Sequence, residues 1–319
     1  MTMTNAQAYA AALAIAAQAN ALAAGLAPAA TSPPPPPPPP AQDAATTAHL
    51  AAGFSTNTFN TQAFTTTNVD MKQSGAKGFQ WYNFNGFGYS PTPFLQTINA
   101  DGTITNAGQS AGGGGLSTAW ETYGVAPGAH GMAFGGGGYF EATFSFDPSQ
   151  MTADASGNPI GGWPSFWALD VNHLLDHANN ISTPRQGPEI DGFEYWAKGQ
   201  WGWDGTKFAA TLHGWQWPAN TELFPQVQQG IPLPTGEAWT DFHRYGWLHI
   251  PATATTKGSI TRFLDGVQVG TVVTWNQGDP LAVMDASPYF LIIEGGQTSP
   301  IKIKSVQVWQ RDASKNLSA

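Results

Sequence analysis

The sequence predicts an all-β domain behind a low-complexity N-terminal arm, and three observations carry that reading. Charged residues make up only 10 % of the chain, against roughly 25 % in an average soluble protein, and long surface helices need those charges. Turn formers abound, with 37 Gly and 25 Pro among 319 residues. Between the turns, short segments of alternating or continuous apolar residues recur, which is the pattern of strands.

The elements follow in order. Residues 1–51 form the arm. Its only formally charged side chain is Asp43, and the first basic residue of the chain is Lys72. The stretch Ala6 to Ala30 has helix propensity but a weak apolar face, so it is marginal as an isolated helix. Pro33 to Pro40 is an octaproline, an extended and stiff polyproline II spacer. Two readings of the arm stand side by side. A small-residue core ending in Ala27 to Ala30 suggests export, but no Lys or Arg precedes that core. The alternative is an attachment or assembly arm on a larger particle. Either reading places the protein outside the cell or on a particle.

Residues 52–319 read as one domain, a size that β-sandwiches reach. Tyr139 to Phe146 alternates and stops at Asp147-Pro148. Ser259 to Leu264, Asp265-Gly266 and Val267 to Val273 predict a hairpin with a two-residue turn. Tyr289 to Ile293 and Ile301 to Gln310 supply late strands.

Several functions are excluded at this level. A net charge of −9 offers no basic stripe for nucleic acid. The absence of Cys removes disulfides, thiolate metal sites and a cysteine nucleophile. The most apolar run, Ala8 to Ala30, is mostly Ala with Gln and Asn inside it, so no membrane span is expected. No dinucleotide or phosphate-loop pattern occurs in the right surroundings.

Chemistry concentrates in Glu189-Ile190-Asp191-Gly192-Phe193-Glu194, which holds three of the 21 acids. On a strand, Glu189 and Asp191 share a face, and Glu194 would face the other way. One β-bulge, with Gly192 a plausible seat, returns all three acids to one side. Like charges so placed are costly unless they share protons or do work. Retaining glycoside hydrolysis needs two such carboxyl groups, one attacking and one protonating. An acidic loop or a set of calcium ligands is the competing reading. The apolar neighbours Ile190, Phe193, Tyr195 and Trp196 argue against a solvated loop.

With its neighbours this segment resembles the active-site strand of glycoside hydrolase family 16, in the bulged ExDxxE subgroup of laminarinases and agarases. Gly135 to Phe146 is similar to the family's GYFEARxK strand, and Gly162 to Leu169 to its GxWPAFWLL strand. Asp241 to Gly246 resembles FHxYG, Phe263 to Gly266 resembles FYVDG, and Ser305 to Gln310 resembles the closing strand. The blocks run in family order over residues 135–310. The resemblance implies a β-jelly-roll, concanavalin A-like sandwich with a substrate cleft across one sheet. It also implies Glu189 as nucleophile, Asp191 as its assisting acid and Glu194 as general acid/base, with no cofactor. Gly192 departs from the family's usual Ile, Val or Leu, and Lys304 replaces an Asp that often serves a structural calcium site.

Nine of the 13 Trp lie between Trp163 and Trp247. Alternation puts Trp163 and Trp167 on one strand face, Trp201 and Trp203 on another, and His213, Trp215 and Trp217 on a third. Aromatic faces suit sugar rings, although about half of these indoles are expected in the core. By resemblance, Trp163, His213 and Trp215 are the expected sugar contacts, and Trp167, on the same face as Trp163, is counted with them. His173 and His177, with Asp176 beside them, have i, i+4 spacing but no Glu of a zinc-protease helix, so no metal is assigned.

The function expected is a retaining endo-β-glycosidase on a polysaccharide, a β-1,3- or mixed-linkage β-glucan first. Its rivals are a non-catalytic carbohydrate-binding protein on the same sandwich and a particle-borne depolymerase anchored through the arm.

Overall fold

The computed structural model describes residues 42–84, 96–107, 115–122, 128–172, 174, 185–217, 221–285, 288–296 and 298–318. The Ala-rich stretch, the octaproline and the His173, Asp176 and His177 group lie outside the described residues. The chain divides into residues 1–41 and 42–319, and everything below concerns the second unit.

That unit begins at Gln42, not at residue 52 as composition suggested. Helix α1 (Ala44–Ala51) is N-capped by Asp43, whose carboxylate accepts from the Thr46 amide at 2.8 Å. Asp43 also pairs with Arg244, and Ala45 N donates to Gly266 O at 2.9 Å. His49 stacks between Tyr139 and Trp309, with centroids 5.1 and 5.2 Å away. An Ala-rich segment that looks like arm is thus fastened to the domain by a cap, an ion pair and a buried imidazole.

Five short strands come first: β1 (Thr56–Thr61), β2 (Tyr82–Asn83), β3 (Gln96–Ile98), β4 (Ile104–Asn106) and β5 (Gly115–Ser117). The central strands follow as β6 (Gly138–Ser145), β7 (Ser165–Asp170), β8 (Arg185–Tyr195) and β9 (Lys207–Trp217). Then come β10 (Thr221–Glu222), β11 (Val227–Pro232), β12 (His243–Ile250), β13 (Gly258–Leu264), β14 (Val267–Trp275), β15 (Tyr289–Glu294) and β16 (Ile301–Gln310). They build two antiparallel sheets, the β-jelly-roll sandwich expected. The first runs β14-β13-β12-β6-β16-β4-β3, with β1 beside β16. The second runs β10-β9-β8-β7-β15-β5-β2, with β11 beside β9.

Inward residues of both sheets interlock as an aromatic core. Phe144 of β6 stacks on Tyr245 of β12 at 4.3 Å and meets Phe193 of β8 edge-on at 5.1 Å. Phe166 of β7 lies 4.7 Å from Trp247 of β12. Burying such rings supplies much of the apolar driving force and fixes the sheets' relative placement. The β13–β14 hairpin turns through Asp265 and Gly266, with φ of 50° and 79°. This is the left-handed geometry that Asp-Gly accepts in a two-residue turn. Among the described residues no helix is long and apolar enough to cross a membrane.

Candidate active site

Strand β8 carries the acids, and its register shows how. Against β9, Asp191 pairs with Thr211 and the next pair is Glu194 with Ala209, so three residues on one strand span two on the other. Against β7, Phe166 faces Phe193 and Trp167 faces Asp191. The extra residue is Gly192, as the sequence suggested. Ile190, Phe193 and Tyr195 enter the core between the sheets, while Glu189, Asp191 and Glu194 share the outer face of the second sheet. Gly192 is required there: a Cβ would lie 2.3 Å from Cε3 and Cζ3 of Trp247 and 3.1 Å from Phe166 O. Trp247 thus fills the volume that a side chain on residue 192 would take.

Each acid has defined neighbours. Glu189 Oε2 accepts from Trp215 Nε1 at 3.0 Å. Glu194 Oε2 accepts from Thr211 Oγ1 at 3.2 Å. Asp191 lies between them in the strand, close enough for its charge to act on both glutamates. His213 Nε2 stands 3.3 Å from Asp191 Oδ2 and 4.0 Å from Glu189 Oε1, and its Nδ1 is 2.7 Å from Glu222 Oε1. The imidazole stacks on the Trp215 indole, with centroids 4.7 Å apart and planes 11° from parallel. Glu189, Asp191, His213 and Trp215 are therefore brought together.

Burial and mutual repulsion dominate the electrostatics. Loss of water, then the charge of Asp191, holds Glu189 well above the usual carboxylate range, and the same two causes raise Glu194. Asp191 is pushed up to about 7 by burial, with Arg262 pulling it down. Three such carboxyls hold protons in common at neutral pH rather than three full charges. The site is thus an acid and a base at once.

The molecule can now be set beside known proteins. No family model and no curated protein sequence matches the chain. Among solved structures, it is similar to the laminarinase catalytic domain from Thermotoga maritima MSB8, at 15 % identity and a TM-score of 0.46, over 80 % of this chain and 98 % of that one. It is also similar to an endo-1,3-beta-glucanase from Streptomyces sioyaensis, at 18 % identity and a TM-score of 0.47, over 83 % and 97 %. A legume lectin-like domain from Entamoeba histolytica is similar at 7 % identity and a TM-score of 0.37, over 72 % and 90 %. What the site can do is read from its own side chains.

The other predicted aromatics are placed differently from expectation. Trp167 does sit beside Asp191, but it is 7 % exposed in an apolar cluster, with Phe84 packed edge-on against it at 5.8 Å. It is a covered wall of the site rather than an open platform. Trp163 precedes β7 instead of sharing its face, and packs edge-on to Trp201 at 5.3 Å. Trp201 and Trp203 lie in and just after a 3₁₀ turn (Gln200–Gly202), not on a strand, both edge-on to Trp196. The side chain of Trp217 lies outside the described residues.

Two ligand sets have donor atoms close enough for a cation. Glu189, Asp191 and His213 form one, and Glu237, His243 and Asp265 the other, each within 4.8 Å. In the first, Trp215 already occupies a lone pair of Glu189. In the second, His243 Nδ1 is 2.7 Å from Asp265 Oδ2 and Nε2 is 3.1 Å from Ala238 O, as in an ordinary ion-paired histidine.

Sequence reasoning missed four participants: Thr211, Glu222, Arg262 and Glu294. Glu294 ends β15, and Ser165 pairs with it on one side and with Glu194 on the other. Its Oε2 accepts from Ser165 Oγ at 3.3 Å and Trp167 Nε1 at 3.2 Å. Burial lifts it to about 8, so this fourth acid is neutral at pH 7. Between about 4.5 and about 8 the folded state keeps a proton that the unfolded chain releases. Stability is therefore full below that window, falls as pH rises through it, and levels off above. Glu294→Gln mimics the protonated acid and should remove up to about 4 kcal/mol of that fall. Thermal melts from pH 4.5 to 8.5 check this: the variant's Tm should decline less than the wild type's. Parallel curves would remove the proton from Glu294.

Proposed function

We propose that the protein is a glycoside hydrolase of the family 16 kind, an endo-acting, retaining β-glycosidase that cuts a polysaccharide. A β-1,3- or mixed-linkage β-glucan is the preferred substrate class. The observation that carries this reading is the single bulged strand that sets Glu189, Asp191 and Glu194 side by side on one sheet face. Retention is the expectation carried by the likeness of this strand to the bulged ExDxxE segment, with one glutamate attacking and the other protonating.

The steps follow from the placement. A carboxylate oxygen of Glu189 attacks C1 of the sugar while the glycosidic C1–O bond breaks, and Glu194 delivers its proton to the departing oxygen. Forming the ester to Glu189 removes a negative charge beside Glu194, so the Glu194 acidity rises and its carboxylate next serves as base. It takes a proton from water, the water oxygen bonds to C1, and Glu189 leaves as a free carboxylate. Asp191 orients the nucleophile and shares protons with both partners. His213 and Trp215 offer a rigid ring surface next to C1, with an N–H holding Glu189. We read the N-terminal arm, from its sequence, as serving export or attachment to a larger particle, with the enzyme acting outside the cell or on that particle.

A substrate panel tests the reading. On laminarin, mixed-linkage glucan, agarose and carrageenan, at least one should lose viscosity faster than reducing ends accumulate, with the β-anomer appearing first by proton NMR. First release of the α-anomer would overturn retention. Binding to a polysaccharide with no new reducing ends on any of them would leave a carbohydrate-binding protein.

A further inference from the structure

We propose that Arg262 is the positioning residue of the acid strand, a guanidinium buried between the sheets that bridges the bulge from beneath and sets its positive charge against Asp191, the middle member of the three carboxyl groups. The inference rests on the hydrolase reading for its kinetic consequences and on the geometry alone for the rest.

Arg262 belongs to β13 of the first sheet, yet only 4 % of it is exposed and it points at the second. Its Nη2 donates to Asp191 O at 3.2 Å and to Thr211 O at 3.3 Å. Those carbonyls belong to the last regular pair before the ladder slips at Gly192. One donor thus ties β8 to β9 at the position where the bulge weakens their pairing. Trp247 is the cross-strand partner of Arg262 and fills the space beneath Gly192. Gly192, Trp247 and Arg262 therefore work as one module under the acids.

Stability alone gives a poor reason for this arginine. Its Nε and Nη1 have no hydrogen-bond partner among the described residues. Burying a charge so sparsely satisfied is costly, and an apolar side chain of similar volume is often as stable or more so. What an apolar group would not supply is potential. Asp191 is the charged group that acts on Arg262, and Arg262 draws Asp191 toward ionisation. The titratable groups facing the acids are His213 from β9, Glu222 from β10 and Glu294 from β15. Among the described residues, Arg262 is the permanent cation of the set. Without it Asp191 should hold its proton to higher pH, and because the three acids titrate together the set should release its protons later, leaving the ionised nucleophile scarcer at neutral pH.

The test compares Arg262→Gln, which keeps a donor but loses the charge, with Arg262→Lys, which keeps the charge. Titrating carbon-13-labelled Asp and Glu by NMR, the Asp191 midpoint should rise by about one unit or more in the Gln variant and stay near wild type in the Lys variant. In kinetics, the acid limb of kcat/KM should move up by a similar amount in Arg262→Gln. At pH 6 kcat should fall about tenfold while KM stays within about twofold, since Arg262 does not touch the sugar. A merely structural arginine would instead lower Tm and scale activity equally at every pH, leaving the limb in place. An unmoved Asp191 midpoint in folded Arg262→Gln overturns the proposal. Should that variant fail to fold, Arg262→Lys decides: a midpoint raised as though the charge were gone overturns it, and a wild-type midpoint sustains it. Should the wild type hydrolyse nothing, the hydrolase reading falls while the NMR titration still judges Arg262.

Discussion

Replacing Glu189 with Gln should lower kcat on the cleaved polysaccharide by about 10³-fold or more, with binding of the chain largely kept. The amide has the shape of the acid but cannot attack C1, so the loss falls on the chemical step. Glu194→Gln should cost ~10²–10⁴-fold, the range expected for a general acid and base. The two losses differ in kind. Without the acid, a substrate whose leaving group departs unprotonated, such as a nitrophenyl glycoside, still glycosylates Glu189; without the nucleophile, none does. Neither variant should be less stable, because each removes one of three crowded carboxyls that burial already penalises. Reducing-sugar assays, urea melts and affinity electrophoresis in polysaccharide gels measure these outcomes. Residual turnover within tenfold of wild type in Glu189→Gln would end the nucleophile assignment.

Gly192→Ala should destabilise the protein by about 3 kcal/mol, at the upper end of what one added carbon costs in a packed core. The new Cβ would meet two Trp247 ring atoms at 2.3 Å, and that indole has little freedom to retreat. It is fully buried, stacks on Phe140 at 5.2 Å and leans on Phe166 at 4.7 Å. Relief must come from the strand itself, which would flatten or shift the bulge and pull Glu194 away from Asp191. Activity should therefore fall further than the loss of folded protein explains. Adding Trp247→Leu should recover much of the stability, a non-additivity that a double-mutant cycle in urea reads directly. If Gly192→Ala melts with the wild type, the steric account of this glycine is wrong.

Much of this architecture was legible in the chain because it is locally encoded. The β6 strand could be traced from alternation ending at Asp147-Pro148, and the β13–β14 hairpin from Asp-Gly. The bulge could be placed at Gly192 from the spacing of three acids. What was illegible depends on partners far away in sequence. The Ala-rich composition of Ala44–Ala51 concealed its docking, because the groups that hold it, Arg244 and Gly266, come some two hundred residues later. Trp167 looked like a sugar platform, but in the fold Phe84, some eighty residues earlier in the chain, packs edge-on against it. Glu294 follows the apolar segment Tyr289 to Ile293 without any local sign of a role, and only the placing of β15 beside β7 sets it directly opposite Ser165.

Taken alone, then, the order of residues determined that the protein is an all-β domain and that one strand presents three acids to a common face, since alternation and turn chemistry act over a few neighbouring positions. The tertiary structure decided which groups surround those acids: a neutral fourth carboxyl on the same sheet, a stacked imidazole and indole, and a buried arginine reaching across from the other sheet. That division has a physical origin. Side-chain direction along a strand is set by local backbone geometry, whereas strand neighbours are chosen by the global burial of aromatic and aliphatic surface, which no short segment contains.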